Sequence, residues 1–213
     1  MKQNTTGKDI GSRAFLEELA SSAPAPGGGG AAAYAGSLGV ALCAMVGNLT
    51  TGKKKYADVQ PDIERMLTRA EELVEELYGL IEQDAIDFRP LAEAYRLPSG
   101  TPEEAAHKEE VMEAALEVAC RTPLAIMRCA MEGLRLQEEM AKKGTVMAVS
   151  DVGAGAALLG GALKAASLNI YINTKSMNDR AKAEALLEET ETLLRDGGAL
   201  AGKIFTEVRD RLL

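Results

Sequence analysis

Apolar residues recur every three or four positions along almost the whole chain, which predicts helices and leaves no stretch with the two-residue alternation of a strand. The pattern is clearest from Leu67 through Leu77 to Tyr95. We expect six helices: a short one that begins near Phe15 and stops before Pro24, and then 29–51, 61–97, 101–143, 149–176 and 178–213.

Prolines and capping residues mark where these helices begin. Pro61 fits the first turn of the third helix, and Thr101 opens the fourth as a capping box with Pro102 at its first position. Three places are expected to bend or weaken a helix: Pro90, Pro123 and Gly197–Gly198. The chain is therefore predicted to be all-α: one domain over residues 1–213, flexible at 1–11, forming an up-and-down bundle of about five to six helices, two of them long and proline-kinked.

The second and fifth predicted helices are rich in small residues and almost free of charge. Each carries a row of small side chains at four-residue spacing: Ala35, Gly39, Cys43 and Gly47, and then Gly153, Ala157, Gly161 and Ala165. Such rows let helix backbones approach closely, either within the chain or at the interface of a two-fold dimer. Residues 25–51 are also long enough to cross a membrane, but their alanine and glycine content favours a buried helix.

Composition excludes several classes of function. A net charge of −8 and a pI near 4.9 argue against a general nucleic-acid surface. The chain has one histidine and three cysteines without a CxxC motif, so neither disulfides nor a metal site are expected. The polar start shows no signal peptide, and we expect a cytoplasmic protein with its thiols reduced.

The second helix is flanked by groups that attract anions. Gly27, Gly28 and Gly29 form an elbow that presents backbone N–H groups at its N-terminus. Lysines 53–55, followed by Tyr56, lie just past its C-terminus. Together they suit a ligand that carries carboxylates, although a hinge and favourable helix-dipole contacts would account for the same residues.

Several polar residues interrupt apolar patterns. Asp84 falls on the apolar stripe of the third helix, where a carboxylate either has a partner or has a raised pKa suited to acid-base catalysis; alternatively it lies at the stripe edge and reaches water. Asp151 interrupts an uncharged run or caps the fifth helix with Ser150. Asn169 and Asn173 share a helix face, from which they can orient a polar heterocycle or bond to a neighbouring helix end.

Taken together, the motifs resemble the cyclodeaminase/cyclohydrolase family, which includes the C-terminal half of formiminotransferase-cyclodeaminase and free-standing bacterial methenyltetrahydrofolate cyclohydrolases. The matches run in order over roughly 15–179. They are the segments 24–29, 48–56, 84–85, 95–98, 123–124, 150–153 and 169–173.

The resemblance implies an all-helical homodimer that binds a tetrahydrofolate derivative, with one or several glutamates, in a cleft near the dimer interface. It implies that the lysines bind the glutamate tail, that the glycine elbow lines the same cleft, and that Asp84 is the general acid or base. Tyr56 belongs to the lysine motif, and the remaining substrate-contact candidates are Asp151, Asn169 and Asn173. Neither a metal nor a redox cofactor is implied, and no nucleic-acid or membrane partner is expected.

The resemblance leaves the reaction open between two chemistries. The chain has no room for a formiminotransferase domain, which favours the cyclohydrolase over the cyclodeaminase reaction. A helical module that binds folate or a partner without catalysis is a third interpretation. Gly30, Thr145 and Met147 depart from the family pattern, since serine commonly follows the three glycines and asparagines commonly precede the motif at 150–153.

Overall fold

Six α-helices and two short 3-10 segments form the part of the chain that this computed structural model describes, residues 11–213. The helices are α1 (Ser12–Leu19), α2 (Gly28–Thr50), α3 (Gln60–Ala94), α4 (Pro102–Lys143), α5 (Val149–Lys175) and α6 (Arg180–Leu212). The all-α prediction is confirmed, and these residues contain no strand. The flexible start predicted for residues 1–11 lies, except for Gly11, outside the described residues.

From α3 onward, each helix runs antiparallel to the one before it. Between α3 and α4, for example, Arg69 donates hydrogen bonds of 2.6 and 2.8 Å to Glu132, whereas Arg65, one turn earlier in α3, donates at 2.6 Å to Glu139, two turns later in α4. Helices α2 to α6 all contribute buried side chains to one large apolar core, and a smaller apolar cluster joins parts of α3, α4 and α6. The arrangement is the up-and-down bundle that the helical pattern predicts.

Helices α2 and α5 approach closely where both carry glycine. A Cβ added to Gly39 would lie 2.8 Å from Leu159 Cγ and 3.0 Å from the Gly155 carbonyl oxygen, so glycine is required at this crossing. The buried amide of Gln137 on α4 donates a 2.8 Å hydrogen bond to the Gly39 carbonyl. The tight intramolecular pair is therefore present, although α5 contributes Gly155 rather than a member of the predicted row.

Most of the predicted helix boundaries agree with the structure. The capping box is confirmed, because the Thr101 hydroxyl accepts from the Glu104 N–H while the Glu104 carboxylate accepts from the Thr101 N–H. Helices α3 and α4 continue past Pro90 and Pro123. Helix α6 also continues through its glycine pair, so the predicted weak point is not a break. Gly197 is buried there against Leu163 of α5.

Two features were not predicted. The connections after α2 and α4 contain the 3-10 segments Lys54–Val59 and Val146–Ala148. Helix α5 begins at Val149 with Ala148 as its N-cap and no side-chain cap, so the capping role considered for Ser150 and Asp151 is wrong. Asp151 instead lies in the first turn, where a carboxylate interacts favourably with the helix dipole.

One side of α2 and α5 is apolar and uncovered. This apolar face comprises Leu38, Met45 and Leu49 of α2 and Leu168 and Ile172 of α5, which are 42 to 67% exposed. The exposed small residues Ala41, Ala157 and Gly161 lie in the same stretches, together with two exposed polar residues, Asn48 of α2 and Lys164 of α5. By length and composition the segments Gly28–Thr50 and Val146–Lys175 are candidate membrane spans, but 56% of each apolar window is buried within the bundle, and core helices pass the same test.

Candidate active site

The carboxylate of Asp84 lies against the N-terminus of α2. The Gly30 N–H donates a 3.0 Å hydrogen bond to Asp84 Oδ2, which joins the middle of α3 to the first turn of α2. Burial raises the pKa of Asp84 above its ordinary value, the Gly30 hydrogen bond partly offsets that effect, and the charge of Asp87 raises the pKa further. Asp84 is therefore a half-buried carboxylate that holds a proton more readily than a carboxylate in water does.

The glycine elbow makes this contact possible. A Cβ added to Gly29 would lie 2.5 Å from Asp84 Cγ and 2.6 Å from Oδ2, so any side chain at this position would force the Asp84 carboxylate to move. At Gly28 the nearest atoms to an added Cβ belong to Asn169, at 3.7 and 3.8 Å, which is ordinary contact. Gly27 has open space around it. The close approach of the Asp84 carboxylate therefore explains why residue 29 is a glycine. Gly27 and Gly28 line the space beside that carboxylate.

Asp84 faces a cavity of about 160 Å³. The cavity is bounded by the elbow, by one face of α3 and by the facing surfaces of α4 and α5: Pro24, Ala25, Gly27, Gly28, Asp84, Phe88, Ala119, Pro123, Asn169, Ile172 and Asn173. The sequence-predicted residues of the elbow, α3 and α5 thus meet in one place. Phe88 and Ile172 had not been singled out, although their position four residues from Asp84 and three from Asn169 indicates a shared face.

The two asparagines are held differently. Asn173 donates a 3.2 Å hydrogen bond to the Ala119 carbonyl of α4. It therefore bonds to a neighbouring helix, as one of the two interpretations expected, although Ala119 lies inside that helix and not at its end. That carbonyl is the group Pro123 would have bonded four residues later if proline had an N–H. Asn169 donates to the Ala165 carbonyl of its own helix at 3.2 Å. Both amides line the cavity, where they are available to a polar ligand.

A second cavity, of about 260 Å³, lies on the other side of the elbow. Its lining combines aromatic and aliphatic side chains with one arginine: Ser12, Phe15, Glu18, Ala25, Pro26, Tyr34, Tyr78, Ile81, Glu82, Ala85, Ile86 and Arg89. Helix α1 closes it through the contact of Phe15 with Tyr34, whose ring centroids are 5.1 Å apart. Ala25 lines both cavities, so the elbow separates two neighbouring spaces.

The lysine motif lies at the opposite end of α2. Lys53, Lys54 and Lys55 are exposed, and the Lys55 ammonium lies 5.6 Å from the centroid of the Tyr56 ring. The Tyr56 hydroxyl accepts a 3.2 Å hydrogen bond from the Val146 N–H. Hydrogen bonds from Thr145 and Val146, and then the charges of Lys55 and Lys53, lower the pKa of Tyr56.

Within a single chain the lysines and the glycine elbow do not lie together, and the cleft that the resemblance implies for both stays a prediction. Helix α2 separates them, and its 23 residues extend about 34 Å at a rise of about 1.5 Å per residue. Asp151 is also remote from Asn169, because it occupies the first turn of α5 and Asn169 the end of that helix. The candidates form an aspartate end (Gly27, Gly28, Gly29, Asp84, Asn169, Asn173) and a lysine end (Lys53, Lys54, Lys55, Tyr56, Asp151).

The described residues offer neither an ionised thiol nor a cluster suited to a metal ion. Burial raises the pKa of Cys43 to about 12 and those of Cys120 and Cys129 to about 11, so the thiols are protonated at neutral pH. Among residues 11–213 no group of three or more histidine, cysteine, aspartate or glutamate side chains is arranged to hold a metal ion.

A sequence profile of the family described as Formiminotransferase-cyclodeaminase matches residues 12–192, a range that contains both ends. The chain belongs to the formiminotransferase-cyclodeaminase family. The methenyltetrahydrofolate cyclohydrolase of Methylorubrum extorquens is 43% identical over 198 residues, which are 93% of this chain and 95% of that protein. The formimidoyltransferase-cyclodeaminase of Rattus norvegicus is 28% identical over 203 residues, and the chain spans 38% of its length.

The fold is also that of a solved member of the formiminotransferase-cyclodeaminase family. The crystal structure of formiminotetrahydrofolate cyclodeaminase from Thermotoga maritima superimposes with a TM-score of 0.82 at 26% identity and covers 96% of both chains. Gly30, Thr145 and Met147 depart from the family pattern, and the first two make backbone hydrogen bonds to residues distant in the sequence. The Gly30 N–H binds Asp84, and the Thr145 N–H donates to the buried Thr50 hydroxyl at 2.8 Å. Met147 is 87% exposed.

Proposed function

We propose that this protein is a methenyltetrahydrofolate cyclohydrolase, which converts 5,10-methenyltetrahydrofolate and water to 10-formyltetrahydrofolate. The observation that carries the proposal is the Asp84 carboxylate, which faces a cavity and is held by Gly30 with its pKa raised. The 43% identity to a cyclohydrolase that matches the chain over almost its full length supports this reaction.

In the proposed mechanism Asp84 first accepts a proton from water and then donates it to N5. Water attacks the electrophilic methenyl carbon between N5 and N10, and the Asp84 carboxylate accepts a proton from that water as the C–O bond forms. The protonated carboxyl then donates to N5 as the bond between the carbon and N5 breaks. Loss of the remaining hydroxyl proton to solvent gives the formyl group on N10, so the reaction releases one proton overall.

The surrounding groups orient the ring. The cavity beside Asp84 offers the flat surface of Phe88, the amides of Asn169 and Asn173, and the backbone of Gly27 and Gly28. Such a mixture of apolar and convergent polar groups is typical of sites for heterocycles. The proposed steps use only these groups and water, so we propose that the reaction needs no metal or redox cofactor.

The formiminotetrahydrofolate cyclodeaminase reaction is the second candidate. The resemblance to the Thermotoga maritima cyclodeaminase over the whole fold favours it. In that reaction N10 attacks the carbon of the protonated formimino group on N5, and a carboxylate accepts the N10 proton. The carboxyl returns this proton to the amino group, which leaves as ammonia as the methenyl ring forms. The same placement of Asp84 serves both reactions. The higher identity to the cyclohydrolase makes that reaction our first choice.

We further propose that the whole chain acts as one domain in a cytoplasmic homodimer, without a nucleic-acid or membrane partner. The apolar face on α2 and α5 supports self-association, because a single chain leaves it in contact with water. The negative net charge and the three unpaired thiols suit a reducing compartment and argue against a phosphate-binding surface.

The test is to follow the absorbance of 5,10-methenyltetrahydrofolate with purified protein and to compare its loss with spontaneous hydrolysis. A parallel assay supplies 5-formiminotetrahydrofolate and measures ammonia. Acceleration of the first reaction, lost in Asp84→Asn while the circular dichroism spectrum is unchanged, is the expected result. Acceleration of the second alone would favour the cyclodeaminase, and acceleration of neither would favour the binding module.

A further inference from the structure

The segment that connects α1 to α2, residues 20–27, forms one wall of the cavity beside Asp84. Pro24, Ala25 and Gly27 of this connecting segment line that cavity, and Gly28, the first residue of α2, follows them. A wall made of a short connection stays in place only while both of its ends are anchored. The two anchors of the connecting segment therefore determine the shape of the cavity.

The anchor at the α2 end lies next to the carboxylate. A Cβ added to Gly30 would lie 3.3 Å from Pro26 Cβ, so Pro26 packs closely against the first turn of α2. The Gly30 N–H in the same turn donates the 3.0 Å hydrogen bond to Asp84 Oδ2. This end of the connecting segment is thus fixed by the same turn of α2 that holds Asp84.

The anchor at the α1 end is a single aromatic side chain. Of the eight described residues of α1, Phe15 alone is buried. Its ring lies 5.1 Å from the ring of Tyr34 on α2, whereas the neighbouring Leu16 is 56% exposed. The ion pair of Arg13 lies within α1, because its partner is Glu17. The position of α1 on the bundle therefore depends mainly on the burial of Phe15.

Helix α1 covers a space instead of a filled core. The second cavity, of about 260 Å³, lies between α1 and α3, and Ser12, Phe15 and Glu18 of α1 belong to its lining. Burial of one phenylalanine side chain favours the docked position of α1 by roughly 10-fold to 150-fold. A preference of this size is far smaller than the stability of a whole domain, so α1 can leave and return while the bundle stays folded.

A compact turn transmits the position of α1 to the cavity wall. The Ser21 hydroxyl donates a 2.7 Å hydrogen bond to the Glu18 carbonyl in the last turn of α1, and it accepts a 3.0 Å hydrogen bond from the Ala23 N–H. Pro24, the first residue of the wall, comes next in the chain. When α1 undocks, the turn moves with it, and the wall loses one of its two anchors.

We propose that Phe15 is a positioning residue for the reaction: by docking on Tyr34 it holds α1 in place and thereby closes the connecting segment over the substrate beside Asp84. The proposal rests on the proposed function, because it places that substrate in this cavity. Since substrate binds to the closed wall, substrate binding must in turn favour the docked position of α1 by the same factor.

The kinetic experiment compares Phe15→Ala with Leu16→Ala, a matched change at the next residue of the same helix. Phe15→Ala lowers the fraction of protein with α1 docked, so KM for 5,10-methenyltetrahydrofolate should rise roughly 3-fold to 30-fold. Saturating substrate restores the docked position, so kcat should stay within about twofold of the wild-type value. Leu16→Ala should keep the wild-type KM, and Phe15→Leu, which retains most of the buried apolar surface, should recover most of the loss.

Hydrogen exchange tests the coupling without an activity measurement. The amides of residues 15–20 are followed by mass spectrometry with and without 5-formyltetrahydrofolate, a stable derivative with the same ring system. Binding should slow their exchange several-fold in the wild-type protein and in Leu16→Ala. In Phe15→Ala these amides should exchange faster without ligand and should slow on binding. A phenylalanine that only stabilises α1 would leave the exchange of these amides independent of ligand.

The outcomes separate this proposal from the proposed function. If the wild-type protein is active but folded Phe15→Ala keeps its KM, or if ligand leaves the exchange of residues 15–20 unchanged, the positioning role is overturned and the proposed function stands. If circular dichroism shows that Phe15→Ala does not fold, Phe15→Leu and the exchange of the wild-type protein decide. A wild-type protein without activity toward either tetrahydrofolate substrate refutes the proposed function and this proposal with it.

Discussion

Replacing Gly29 with alanine tests whether the position of the Asp84 carboxylate governs the rate. The added methyl group would lie 2.5 Å from Asp84 Cγ, whereas ordinary contacts begin near 3.4 Å. Asp84 is a short side chain that can rotate away, so the carboxylate is expected to move by about 1 Å and to lose its hydrogen bond from Gly30. The backbone of the helix need not move.

The expected effect on catalysis is large and the effect on stability small. A displacement of about 1 Å costs on the order of 100-fold in kcat/KM, or about 2.7 kcal/mol of activation free energy. The lost charged hydrogen bond is worth about 1.5–3 kcal/mol of folding free energy, while alanine in a helix regains up to about 1 kcal/mol. We therefore expect a folded protein whose unfolding free energy falls by no more than about 2 kcal/mol.

Gly28→Ala is the matched control. Its methyl group would meet only Asn169, at 3.7 and 3.8 Å, and it makes the same chemical change one residue earlier. Both variants are assayed with methenyltetrahydrofolate, and their unfolding is followed by circular dichroism. If folded Gly29→Ala keeps the kcat/KM of the wild-type protein, the carboxylate position does not govern the rate, and the role given to Asp84 is refuted.

Three further outcomes follow from the structure. Asp84→Asn should lose about 10²–10⁴-fold in kcat, yet unfold at a higher temperature at pH 7. Because the pKa of Asp84 is raised in the folded state, ionisation of this carboxyl destabilises the folded protein as pH rises through that pKa. Asparagine does not ionise, so the stability advantage of the variant should disappear in acid, where Asp84 is protonated. Asp87→Asn removes a charge that raises the pKa of Asp84, so the acid limb of the pH profile of kcat/KM should move to lower pH; an unchanged limb would exclude this coupling. Gly197→Ala should destabilise by about 1–3 kcal/mol, because its methyl group overlaps Leu163. Gly198→Ala, with open space, should stabilise by up to about 1 kcal/mol in thermal unfolding, and equal effects would contradict this packing.

The helices were predictable because strong local signals mark them. Apolar spacing, Pro61 and the capping box at Thr101 each act over a few residues, so the sequence contains the information that places them. The 3-10 segment Lys54–Val59 was not predictable, since a run of lysines has no periodicity. The N-terminus of α5 was misassigned because Ser150 and Asp151 are good capping residues that the chain does not use for capping.

The sequence singled out several residues that the structure brings to the wall of one cavity, but it did not indicate how the candidates divide between the two ends of α2. Asp84 interrupts an apolar stripe, and the structure places its carboxylate against the elbow. The aromatic lining of the second cavity, such as Tyr34 and Tyr78, has the same helical spacing as core residues and cannot be distinguished from them by pattern. One available signal was overlooked: the number of residues in α2 already separates the lysines from the elbow.

Pro123 helps to anchor a side chain in the wall of the cavity. Because proline has no N–H, the Ala119 carbonyl is left without its helical partner and accepts a hydrogen bond from the amide of Asn173. Asn173 lines the cavity beside Asp84, so this bond joins α4 and α5 at the cavity wall. The hydrogen bond that proline denies to its own helix thus becomes a tie between two helices, which restrains the rotamer of a residue that faces the ligand space.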